Sequence, residues 1–195
     1  MKLDFSFWTN ASQKRKRTYS IIAIFVIAFL VTVIGSYFPL SSSDAQTISQ
    51  NLNNTLNQNR ANNTLTQYIF LNNFGICLAM FIPVFGAALG MFILFETGIA
   101  LGAITTIQGY PVWVGIASLV ITPVFWLEFI SYSIAMAESI WLFRRLIKAI
   151  ASKEPGQGRL IFWRELKWLV TFIGTCAGLL AIGALVEGWL ITVLG

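Results

Sequence analysis

Long apolar runs, broken by short polar or Pro- and Gly-bearing stretches, organise this chain. Tyr19 to about Leu40 supplies some twenty mostly apolar residues, enough to cross about 30 Å of hydrocarbon at about 1.5 Å per residue, and reads as a first transmembrane span over 19–40. From Gln67 to Gln108 the apolar character persists for about forty residues, roughly twice what one span needs. Pro83 and Gly86, in IPVFGAALG, mark the turn between two spans near 68–84 and 87–107. Residues 109–122, GYPVWVGIASLVIT, are too short to cross alone and predict a re-entrant or interfacial half-helix, tolerated only where protein covers it. A fourth span follows over about 124–143, and a last one runs from about Leu166 to Leu194 with Ala177, Ala181, Ala184 and Gly188 along one stripe. The predicted fold class is all-α: a polytopic transmembrane helical bundle of about five spans plus the half-helix. Four or six spans follow instead if the hairpin at Pro83 stops short or if 109–122 crosses.

The polar stretches complete the division of the chain. Residues 1–18 form a basic arm, expected to be cytoplasmic, in which Phe5, Phe7 and Trp8 precede Lys14, Arg15, Lys16 and Arg17. Ser43-Asp44-Ala45 has the small residues of a cleavage site, but the apolar run before it exceeds the roughly 7–15 residues of a signal peptide, so a retained anchor is expected. Residues 41–67, rich in Ser, Asn, Gln and Thr, read as a polar external loop with a turn or two of helix at most. They hold two glycosylation-type triplets, Asn53-Asn54-Thr55 and Asn62-Asn63-Thr64, and Asn10-Ala11-Ser12 is a third; such matches arise readily by chance in Asn-rich sequence. Residues 68–195 constitute the membrane helical domain, interrupted by an inner loop over about 149–165. There Gly156-Gln157-Gly158 lacks the Gly-Lys-Ser/Thr ending that holds phosphate.

Composition sharpens the membrane reading. Apolar residues make up 56% and charged residues 11% of the 195, against about 25% charged in soluble domains. Arg60 and Arg144 have no basic residue between them, although three Glu lie in that interval. The formal charge of +5 sits instead at Lys14–Arg17 and from Arg144 to Lys167, flanking apolar runs. This is the positive-inside pattern. It assigns Lys14, Arg15, Lys16, Arg17, Arg144, Arg145 and Lys148 to topology and anionic-lipid contact rather than to nucleic acid, and predicts a multi-pass cell-membrane protein with the N-terminus cytoplasmic and the C-terminus external. Gly86-x-x-x-Gly90 and Gly98-x-x-x-Gly102 fit close helix packing within the chain. The two cysteines, Cys77 and Cys176, lie inside separate apolar segments and support neither a disulfide framework nor a metal site. Without histidine, His-based triads and imidazole ligands are excluded.

The candidate chemistry lies in carboxylates within apolar sequence. The stretch PVFWLEFISYSIAMAE, Pro123 to Glu138, carries two of them. At about 100° per residue, Glu128, Ser131, Ala135, Glu138 and Ser139 fall within an arc of about 100°, a face unsuited to lipid. Glu96 and Glu187 raise the count to four, each costing about 2.5–3.5 kcal/mol at a helix centre. They either line an ion- or proton-sensitive cavity or are held structurally, Glu138 and Glu187 near interfaces by pairing with Arg144, Arg145 or Arg164 or by accepting bonds from Ser, Thr and Asn across helices. Nothing assembles a nucleophile with a base, a metal cluster or a cofactor loop, so no catalysis and no cofactor are expected.

Several residues together resemble the stage II sporulation protein M family of multi-spanning membrane proteins, over about residues 68–190. They are Asn72-Asn73 opening a span, Phe95-Glu96-Thr97-Gly98 with Leu101-Gly102 behind it, Pro123 and Glu128 at matching spacing, and the late Glu187. The family pattern has Asn-Gly where this chain has Thr97-Gly98, and Pro-His-Gly-x-x-Glu where it has Pro123-Val124-Phe125-Trp126-Leu127-Glu128. The resemblance implies a membrane anchor or scaffold, since the family's sporulation members belong to a machine that remodels the cell wall alongside partners that cut it.

Two functions follow. One is a scaffold or assembly subunit of an envelope complex, packing against a membrane-protein partner or a second copy. The other is a transporter or permease subunit with Glu128 and its neighbours lining a polar passage. A closed, dry interior around Glu128 favours the first; a water-accessible cavity reaching it favours the second.

Overall fold

The computed structural model describes residues 10–152 and 154–194, and Phe5, Phe7 and Trp8 lie outside the described residues. Within them the chain forms seven helices and no strand: α1 Gln13–Ser36, α2 Ser42–Ala61, α3 Leu65–Met80, α4 Phe85–Ile107, α5 Val112–Ile121, α6 Pro123–Ile150 and α7 Gln157–Leu194. The 41–67 segment corrects the expectation of a loop. It is mostly the 20-residue α2, whose N-terminus is capped by Ser41 accepting from Asp44 N at 3.1 Å, with Asp44 in the first turn and Arg60 in the last, both favourable to the helix dipole. Ala45 and Ser49 are its buried residues, and it packs chiefly on α4.

By length and apolarity, α1, α4 and α7 each suffice to cross a membrane, and α5 with α6 qualifies jointly as a fourth, bent by 84°. The expected second span is α3, whose 16 residues extend about 24 Å, short of the usual hydrocarbon thickness. The expected inner loop is also shorter than predicted, because α6 continues to Ile150 and α7 begins at Gln157. Ile22, Val26, Leu30 and Ile34 of α1, spaced every fourth residue, are all about half exposed or more, the apolar outer stripe of a helix facing lipid.

The two turns that shape the bundle follow from Pro and Gly. After α3, Val84 adopts φ +71°, a region costly for a β-branched residue, while Gly86 N donates to Ile82 O at 2.8 Å. At the second, Thr122 is extended and Pro123 stands at the start of α6, where its missing N–H costs nothing. Trp126 Nε1 donates to Val120 O at 3.0 Å across this elbow.

Helix α6 is the spine. It packs most extensively on α7 and also on α1, α3, α4 and α5. The core consists of Cys77, Met80, Leu94, Phe125, Phe129, Met136, Cys176 and Leu180 with their neighbours. Both thiols donate to Ser131 O, Cys176 at 3.4 Å and Cys77 at 3.9 Å, where α3, α6 and α7 converge. Helices α1 and α4 approach so closely at Gly98 that an added Cβ would stand 3.0 Å from Gly35 Cα and nearer still to Thr32 O; Gly102 meets the Ser36 carbonyl in the same way. These contacts are within the chain.

Because backbone cannot yield as a flexible side chain does, Gly98→Ala is expected to part α1 from α4 at a cost of about 1–3 kcal/mol. Thermal unfolding in mild detergent would register it, with Gly178→Ala as the matched control, since nothing lies within 4 Å of a Cβ there.

Candidate functional site

The polar face of α6 divides between two centres. Glu128 and Glu138 are ten residues apart, about 15 Å along the helix, and each meets a different set of partners.

The first centre is a cavity of about 390 Å³ walled by α3, α4, α5, α6 and α7. Glu128 and Glu187 enter it together with Asn72, Asn73, Thr97, Thr122 and Tyr132, and the remainder of the lining is apolar. Asn73 Nδ2 donates to Glu128 Oε1, and Asn72 Nδ2 donates to Asn73 Oδ1 at 3.2 Å, so one carboxylate is held by a short amide relay. The lining contains no Lys or Arg. Asn72 and Thr97 are exposed, so the cavity opens at the bundle surface. Thr97 Oγ1 donates to its own helix at Ile93 O, 2.9 Å, while Glu96 beside it is exposed and outside the lining. Pro123 starts the helix that aims Glu128, and Ser131 is fully buried below the cavity, donating to Leu127 O at 2.7 Å. Phe125, which occupies the Gly position of the family pattern, is buried against Phe25, Phe29 and Phe129.

The second centre is an arginine–glutamate cluster. Glu138 is buried, as expected for a face turned from lipid, but its cation is Arg17, with Nε at 3.5 Å from Oε1, rather than Arg144, Arg145 or Arg164. That separation is an ion pair without a hydrogen bond, and Glu138 Oε1 has no hydrogen-bond donor among the described residues. Glu165 gathers three guanidiniums: Arg17 Nη2 donates to Oε2, and Nε of Arg145 and of Arg164 lie 3.7 and 3.4 Å from Oε1. The Arg17 guanidinium also lies over the rings of Trp168 and Trp141, at 5.4 and 5.8 Å. Arg17 and Arg145, assigned to lipid headgroups from the sequence, are therefore drawn inward, whereas Lys14, Arg15, Arg144 and Lys148 are exposed and Lys16 is half-buried. Glu165 was not a candidate, because its segment read as a loop. Its position within an α7 that starts at Gln157 makes it a helix residue facing α1, and Arg17 is 148 residues away in sequence.

An all-α polytopic membrane protein with polar centres enclosed by apolar helices is the class these features define. The chain belongs to the stage II sporulation protein M family: the family model for Stage II sporulation protein M matches residues 21–191. The match takes in α1 from residue 21 and all of α2, which lie outside the motifs that carried the resemblance. No curated protein and no solved structure matches the chain.

Glu165→Gln removes the shared carboxylate of three guanidiniums and is expected to cost about 3–5 kcal/mol, the usual penalty for stranding a buried charge. Glu138→Gln, which relaxes one long contact, should cost less. Unfolding of both variants in one detergent gives the order, and equal losses would contradict it.

Proposed function

We propose that this chain is a non-catalytic transporter or permease subunit, embedded with its basic N-terminus cytoplasmic and its C-terminus external, in which Glu128 and Glu187 handle protons or a small cation. The observation that carries this reading is the cavity of about 390 Å³ that reaches Glu128 from the bundle surface. Its size falls in the range of small-solute sites, about 300–1,000 Å³. Two carboxylates and two amides without a facing Lys or Arg suit a positively charged occupant. The broken α5–α6 pair supports the same reading, since Leu119, Thr122 and Val124 at its elbow line the cavity, and discontinuous helices commonly build such sites. In purified proteoliposomes, an inward proton or sodium gradient should give flux above empty liposomes, and Glu128→Gln should reduce it by about tenfold or more. Wild-type flux equal to that of empty liposomes would overturn the reading.

A scaffold role is the second reading, supported by α2. This polar helix leaves Gln50, Asn53, Asn54 and Asn57 exposed, a surface available to a partner protein. If that face docks a partner, Asn53→Arg with Asn57→Arg should abolish co-purification of a membrane protein from mild detergent while leaving thermal stability unchanged. Recovery of the wild-type chain alone would remove this reading.

A further inference from the structure

Two further cavities lie at the basic end, where the N-termini of α1 and α7 meet the C-terminus of α6. One, about 510 Å³, is lined by Gln13, Arg145, Lys148, Gln157 and Arg164 with Leu160 and Ile161, and by no acidic residue. The other, about 540 Å³, has Lys14, Arg17 and Arg164 with the ion-paired Glu165 at its polar side and Ile21, Trp168 and Phe172 as its apolar wall. The two share Gln13 and Arg164.

Among the described residues, charge there is not balanced. Arg17, Arg145 and Arg164 face Glu138 and Glu165, which leaves one formal positive charge in excess, and Lys14 and Lys148 on the cavity walls add two more. Arg145 is 9% exposed, and its Nε has no hydrogen-bond partner among the described residues, Glu165 being an ion-pair neighbour at 3.7 Å. A buried guanidinium nitrogen left without an acceptor keeps its full desolvation penalty. An anion in the adjoining cavity would lower that cost by neutralising the surplus charge.

We propose that these joined cavities bind one anionic phospholipid, its phosphate among Arg145, Lys148 and Arg164 and its acyl portion along Ile21, Trp168 and Phe172. The apolar wall sets a lipid apart from a free phosphate, which would use only the first cavity. Basic pockets between membrane helices recognise anionic headgroups by this combination of charge and adjacent apolar surface.

The experiment is native mass spectrometry of the full chain in mild detergent, titrated with phosphatidylglycerol, phosphatidylcholine or inorganic phosphate, with thermal stability followed in parallel. Saturable retention of one phosphatidylglycerol, a raised Tm and no comparable effect of phosphatidylcholine are expected. Lys148→Gln with Arg164→Gln, both on exposed side chains, should weaken retention by about tenfold. Arg144→Gln, exposed and on neither cavity wall, should leave it unchanged. Equal retention of phosphatidylcholine, equal weakening by Arg144→Gln, or full protection by inorganic phosphate alone would each overturn the assignment.

Discussion

The cost of holding carboxylates among apolar helices governs this molecule. A charged group can avoid it by reaching water, by pairing, or by lining a hydrated cavity. Helix α6 uses the second solution at Glu138 and combines an amide hydrogen bond with a cavity at Glu128. Both depend on the same prior condition, that α6 be surrounded by other helices, and that condition is met by small residues. Gly98 and Gly35 let α1 and α4 touch through their backbones. Gly90 leaves space for the Met136 side chain, and Ser131, Ser133 and Ala135 are fully buried along α6. The interior gains its stability from contact rather than from apolar transfer, since lipid is as apolar as the core it would replace.

The sequence reveals the residues better than it reveals their partners. The apolar runs locate α3, α4 and α5 to within about four residues, because Pro83, Gly86 and Pro123 punctuate them, but they miss the polar ends of α1, α6 and α7 by six to nine; the shared face of Glu128, Ser131, Ala135 and Glu138 follows from helical spacing alone. Helix α2 was not legible by apolar periodicity, as its Asn and Gln run has little; its signal is the capping pair Ser41 and Asp44 with Arg60 at the far end. Pairings such as Asn73 with Glu128 or Arg17 with Glu165 join residues 55 and 148 positions apart, and a single sequence does not encode that distance. Arg145 illustrates the same limit. In sequence it is one of a basic pair that stops a span, but in the folded chain a rotation of about 100° around the helix separates a buried guanidinium from the exposed Arg144 next to it.

The segment between the two centres restricts what they can do together. Over the ten residues from Glu128 to Glu138, Ser131, Ser133, Ala135 and Met136 are fully buried. The Ser131 and Ser133 hydroxyls donate to carbonyls of α6 itself, and the Ser131 carbonyl accepts both buried thiols. This buried packing stands between the carboxylate–amide cavity and the arginine cluster. Where α3, α6 and α7 meet at Cys77, Ser131 and Cys176, the contacts are two weak thiol hydrogen bonds and close packing rather than ion pairs. The strong charge-assisted contacts lie beyond this plug, binding α1, α6 and α7 at one end. The interior is thus held by packing at its middle and by ion pairs at its basic end.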